Sequence, residues 1–136
     1  MKLLMIYADS FGYKTAVKNW ELAEDISTAD HIEKAIVGFI QVEMEDKENA
    51  NKVITKLIKN LKWLAGKNNT QKIVLHSFAH LSDSKAEPEF IFEILSNAEK
   101  RLTNAGYEVY KTPVGYFFDL EIKAPGFSLA RVFKNF

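Results

Sequence analysis

The stretch DKENANKVITKLIKNLKWLAGKNNTQKIVLHSF, residues 46–78, decides the fold. Within it Ala50, Val53, Ile54, Leu57, Ile58, Leu61, Leu64 and Ala65 recur at helical spacing, with lysines and asparagines between them. Apolar residues three and four apart form one buried stripe, and the lysines fall on a solvated face. The spacing predicts a helix over 46–66, with Gly66 as its C-terminal cap. Lys72 to Phe78, carrying Ile73, Val74 and Leu75, then reads as a short strand. A helix followed directly by an apolar strand is the unit from which α/β layers are built.

Toward the C-terminus, residues 79–87 are a loop rich in serine and charge. A second helix is expected from Pro88, a residue favoured in the first helical turn. Phe90, Ile91, Ile94, Leu95, Ala98 and Leu102 form its apolar stripe, and Gly106 ends it. Tyr107 to Tyr110 is a short strand. From Gly115 to Lys123 the chain alternates, with Phe118, Leu120 and Ile122 on one face and Phe117, Asp119, Glu121 and Lys123 on the other. Pro125-Gly126 is a turn, and 128–133 a last strand or short helix. Toward the N-terminus, Ala35 to Glu43 is strand-like and Leu3 to Tyr7 is a short buried strand closed by Asp9-Ser10. Residues 12–30 show no clean period. Trp20 and Trp63 are expected to pack. The expected fold is a single α/β domain over 1–136, a mixed β-sheet with two main helices.

The chain has 136 residues, 18 Lys+Arg, 18 Asp+Glu and no cysteine. The absence of cysteine excludes disulfide frameworks, thiolate zinc sites and a cysteine nucleophile, and fits a cytoplasmic location. The apolar run at residues 3–7 is too short for a signal sequence, and no stretch approaches a membrane span, so no membrane partner is expected. A balanced charge gives no global attraction to nucleic acid, so any RNA contact has to be local. Phosphate-loop, dinucleotide, H-E-x-x-H and G-x-S-x-G motifs are all absent, and no cofactor or metal is indicated. His76 and His80 span a strand end and a loop, which argues against a shared metal.

Two segments carry a resemblance. One is Ser77-Phe78-Ala79-His80-Leu81-Ser82, leaving the C-terminal end of a strand; the other is Pro113-Val114-Gly115-Tyr116-Phe117-Phe118, opening another. Together with LLMIYADS at the start, GFIQVE and Gly126-Phe127-Ser128-Leu129-Ala130, they resemble the archaeal-type editing domain of threonyl-tRNA synthetase. The match runs in register from about Val37 to Arg131 and is weakest over 10–34.

That resemblance implies a D-aminoacyl-tRNA deacylase-like fold, a homodimer, and hydrolysis of L-serine wrongly esterified to threonine tRNA. The implied partners are the aminoacylated 3′ end of tRNA and a threonyl-tRNA synthetase catalytic domain or subunit. One methyl separates serine from threonine and contributes only about 1–3 kcal/mol in attractive binding, which is why such enzymes add a second, hydrolytic sieve. By position, Val42, Ser77, Phe78, Ala79, Val114, Phe117 and Phe118 fall at the substrate pocket, and His80 matches the pocket histidine. Phe117 replaces a tyrosine, Phe118 the pocket lysine and Arg131 the pocket glutamate. The paired exchange suggests that Arg131 supplies the lost cation, with His80 and Arg131 as the catalytic pair. Loss of the lysine and glutamate also admits a non-catalytic binding module of the same fold, or a D-aminoacyl-tRNA deacylase. The absence of a linker-like tail after Phe136 favours a free-standing relative over a synthetase fragment.

Overall fold

A computed structural model describes residues 1–136. The strands are β1 (Lys2–Lys18), β2 (Ala29–Gln41), β3 (Lys72–Ser77), β4 (Glu108–Lys111), β5 (Tyr116–Lys123) and β6 (Arg131–Asn135); the helices are α1 (Ala50–Lys67) and α2 (Pro88–Asn104). They form one mixed sheet in the order β4-β3-β2-β1-β5, with β6 also on β1. β2, β3 and β4 run parallel, while β1 pairs antiparallel with β2, β5 and β6.

The apolar stripes foreseen for both helices are the ones buried. Ile54, Leu57, Leu61 and Leu64 of α1 and Ile94, Leu95, Ala98 and Leu102 of α2 share a core with Leu3, Met5, Ile36, Ile40, Ile73 and Leu75. Alternation along the strands sends these residues to one face of the sheet. α1 lies so close to β2 that a Cβ at Gly38 would stand 3.1 Å from Leu61 Cδ2. The opposite face carries a smaller cluster, including Phe11, Val37, Phe39 and Val74.

Several boundaries differ from expectation. The α-helix begins at Ala50, because residues 44–49 form a 3-10 turn instead. Asp46 sets that turn: its carboxylate accepts from Glu43 N–H at 2.8 Å and from the buried Met1 ammonium at 2.9 Å. Gly66 lies inside the helix rather than capping it; Asn68 is the cap, and Asn69 takes the left-handed turn at φ 51°. Asparagine tolerates that region better than most residues with a Cβ. The first strand runs to Lys18 rather than ending at Tyr7, and β2 starts at Ala29. β1 is paired to β5 over residues 10–18 and also to β2 as far as Lys14, so ladder hydrogen bonds hold it without an apolar alternation. The segment after Pro125 forms both a 3-10 turn (Ser128–Ala130) and β6.

Candidate functional site

β3 ends at Ser77, and the chain leaves it through Phe78, Ala79 and His80. Opposite, the turn Pro113–Gly115 leads into β5. Both stretches line one open cleft of about 470 Å³. Its other walls come from Asn19, from Lys85 and Ala86 in the loop before α2, and from Pro88 and Ile91 in the first turn of α2.

Aromatic rings make the floor. Phe118 meets Tyr13 edge-on at 5.7 Å and His76 at 5.4 Å, and Phe78 meets Phe39 at 5.2 Å and His80 at 5.1 Å. Such tilted and T-shaped pairs match the positive edge of one ring to the negative face of the next. The rings line the cleft without filling it. His76 is buried and its Nδ1 is 2.9 Å from Thr112 Oγ1; burial, which disfavours the charged ring, holds its pKa at about 4. It is therefore neutral near pH 7 and serves as a packing piece of the floor.

The loop after His80 is held by polar groups that periodicity does not reveal. Gln41 is buried at the end of β2. Its amide nitrogen donates to Ser82 O (2.7 Å) and Ser84 O (2.9 Å), and its Oε1 accepts from Leu81 N–H (2.6 Å). Ser82 Oγ donates to Glu43 Oε2 at 2.6 Å, and Glu43 also holds the Met1 ammonium at 2.7 Å and Lys2 Nζ at 3.1 Å. Burial would raise the Glu43 pKa, but hydrogen bonds from the ammonium, Ser82 and Lys2 together outweigh it and hold the carboxyl at about 2. Two cations and a hydroxyl thus compensate a buried carboxylate.

Main-chain groups of the lining stretch 77–80 have hydrogen-bonding capacity to spare. Phe78 N–H donates to Ile40 O at 2.9 Å and Leu81 N–H is taken by Gln41, but the N–H groups of Ala79 and His80 donate to no protein acceptor. The opposite wall is fixed by a close contact. Gly115 has φ 99°, its carbonyl accepts from Asn19 N–H at 2.8 Å, and a Cβ there would stand 2.6 Å from Ala23 Cβ.

Ser77, Phe78, Ala79, His80, Val114, Phe117 and Phe118 therefore all come together at this cleft. Val42 stands behind the wall: it is buried, and its carbonyl accepts from Ala86 N–H at 3.0 Å. Arg131 is not brought to the cleft of its own chain. It pairs with Ile6 on β1 whereas Phe118 pairs with Thr15, a separation of roughly 30 Å at strand rise. Its guanidinium donates instead to Pro125 O at 3.0 Å. Sequence reasoning missed Asn19, Lys85 and Gln41. Lys85 and its loop follow the C-terminal end of a strand, a usual place for functional groups in an α/β sheet, so that signal was available; Asn19 and Gln41 carried none. No three His, Asp or Glu side chains gather as a metal-ligand set.

The mixed sheet carries both helices on one face, and the cleft opens between the strand ends of β3 and β5 and the first turn of α2; the fold is of the D-aminoacyl-tRNA deacylase-like class. A solved structure titled c-Myc DNA Unwinding Element Binding Protein shares the fold, with a TM-score of 0.71 over 99% of this chain and 98% of that one; at 11% identity the likeness shows fold alone. The profile of the archaea-specific editing domain of threonyl-tRNA synthetase matches residues 1–136, and the chain belongs to that family. Threonine–tRNA ligases of Methanosphaera stadtmanae and Thermococcus kodakarensis are 34% and 31% identical over 97% of the chain. That of Methanoregula boonei is 31% identical over 99%. The chain spans 22% of the length of each of these relatives. No helix is long and apolar enough to cross a membrane.

Proposed function

We propose that this domain hydrolyses the ester linking L-serine to threonine tRNA, the proofreading step for threonyl-tRNA synthesis. The supporting observation is the convergence of Ser77–His80 and Pro113–Phe118 on one cleft, with the Ala79 and His80 N–H groups uncommitted. An aminoacyl ester is already activated, and its hydrolysis passes through a tetrahedral oxyanion. Two fixed N–H donors can stabilise that charge without a side-chain base. The tRNA supplies a ribose hydroxyl next to the ester. Close-packed backbone walls give the steric means to reject threonine's extra methyl, beyond what attraction alone provides. The site would act in the cytoplasm, within or beside a threonyl-tRNA synthetase.

Seryl-tRNA(Thr), threonyl-tRNA(Thr) and a D-aminoacyl-tRNA, incubated separately with the purified protein, distinguish the readings. Release of serine with threonine retained is expected. Release from only the D-ester would replace this reading with D-aminoacyl-tRNA deacylation. No turnover at stoichiometric protein would favour a binding module, a reading to which Phe118 in place of the family lysine lends weight.

The proposal includes a homodimer. Leu120 and Ile122 lie on the alternating face of β5 foreseen as apolar, yet they are 42% and 40% exposed within one chain. A solution mass near twice 15.5 kDa is expected from light scattering; a mass of one chain at micromolar concentration would refute it.

A further inference from the structure

We infer that Lys85 is the phosphate-contacting cation of the cleft, holding the phosphodiester next to the esterified terminal nucleoside; this inference rests on the deacylase reading above. Among the residues lining the cleft, Lys85 is the only lysine or arginine, and no aspartate or glutamate lines it. An acid-free cleft with one cationic side chain in its lining favours an anionic ligand. The ion-paired lysines of the chain are Lys2, Lys18, Lys47 and Lys111; Lys85 is not among them. Its nearest acids in sequence do not compete for it inside the cleft. Asp83 and Glu87 do not line it, and Glu87 is engaged by Lys47.

The backbone that carries Lys85 is anchored on both sides. Ser84 O accepts from Gln41 at 2.9 Å and Ser84 Oγ accepts from Met44 N–H at 3.1 Å, while Ala86 N–H donates to Val42 O at 3.0 Å. A free ammonium thus stands on a fixed base at the wall of the cleft, which lowers the ordering cost of capturing a phosphate. The geometry also separates two tasks: the strand ends receive the amino acid, and the loop before α2 receives the nucleotide. With Phe118 packed into the floor and Arg131 on β6, Lys85 restores a cation to the site from a different element.

The test compares two substrates in the full chain: seryl-tRNA(Thr), and the L-serine ester of adenosine, which has no phosphate. Lys85→Ala is expected to raise KM for the tRNA roughly 5- to 20-fold with kcat little changed, the size of one charge-assisted contact. The salt dependence of log affinity should fall by about 0.7 per decade, the share of one single-strand phosphate. Hydrolysis of the adenosine ester should not change, and Lys85→Arg should restore most of the tRNA effect. Equal losses on both substrates, or an unchanged KM and salt slope on tRNA, would overturn the inference. If the wild-type protein turns over neither ester, the deacylase reading fails. Lys85 is then judged by binding of a CCA oligonucleotide bearing a serine amide at its 3′ end: affinity lost in Lys85→Ala upholds phosphate contact, and equal affinity or no wild-type binding ends it. Lys85 is exposed and makes no contact that the fold needs, so the variant should melt with the wild type.

Discussion

A Gly115→Ala chain is expected to be less stable by about 2–5 kcal/mol, the combined cost of a side chain at positive φ and of overpacking a filled space. Both costs arise at this one residue. At φ 99° the backbone is in a region where a Cβ is strained, and that Cβ would stand 2.6 Å from Ala23 Cβ and 3.1 Å from Trp20 Cβ. Neither neighbour is the flexible end of a long side chain, so relief requires moving backbone. The backbone to be moved is the cleft wall from Pro113 to Phe118, together with residues 19–23 that Asn19 N–H ties to Gly115 O. The melting temperature should fall by about 10 °C or more in a chain of this size. Gly126→Ala is the control, because nothing lies within 4 Å of its Cβ position and its φ is not positive. A Gly115→Ala protein that melts within about 2 °C of the parent would contradict the described wall.

The second large effect concerns Gln41. Gln41→Leu keeps the volume roughly but removes three hydrogen bonds, those to Ser82 O, Ser84 O and Leu81 N–H. A buried polar group left without a partner costs about 1–3 kcal/mol, so a total of roughly 2–4 kcal/mol is expected, since the loop can turn some of these groups to water. The loop that relaxes begins immediately after the N–H groups of Ala79 and His80. Deacylation should fall about 10- to 100-fold, because small displacements of positioning groups are costly. Amide hydrogen exchange at Leu81 should accelerate in step. Unchanged exchange at Leu81 would show that Gln41 does not hold the loop.

Much of the fold was legible because it rests on periodicity. The stripes of α1 and α2, and the apolar strands β2 and β3, bury the residues that their spacing singles out. Residues 12–18 were not legible. There the order comes from ladder bonds to β5 throughout and to β2 as far as Lys14, and Tyr13, Thr15 and Val17 stay partly in water, so no apolar alternation was required of them. Gly66 misled because a glycine near a helix end usually stops it, whereas Asn68 and Asn69 provide the turn here.

The candidate site divides in the same way. Ser77–His80 and Val114–Phe118 were located by the resemblance, and each segment is local in sequence. Placing Arg131 required knowing that β6 and β5 occupy different lengths of β1, which no local pattern encodes. Single polar residues such as Gln41 and Glu43 have no period at all. Their roles arise only when β2, the N-terminus and the loop after β3 are brought together.

The position of the esterified amino acid between the two strand ends is the feature on which deacylation depends. An adenosine carrying L-serine through a stable 3′-amide, titrated into isotopically labelled protein, reports this through backbone amide shifts. Saturable movement of the Ala79 and His80 N–H signals together with those of Val114 to Phe118 is the predicted result. Movement confined to other surfaces, with both strand ends silent at saturation, would contradict the account.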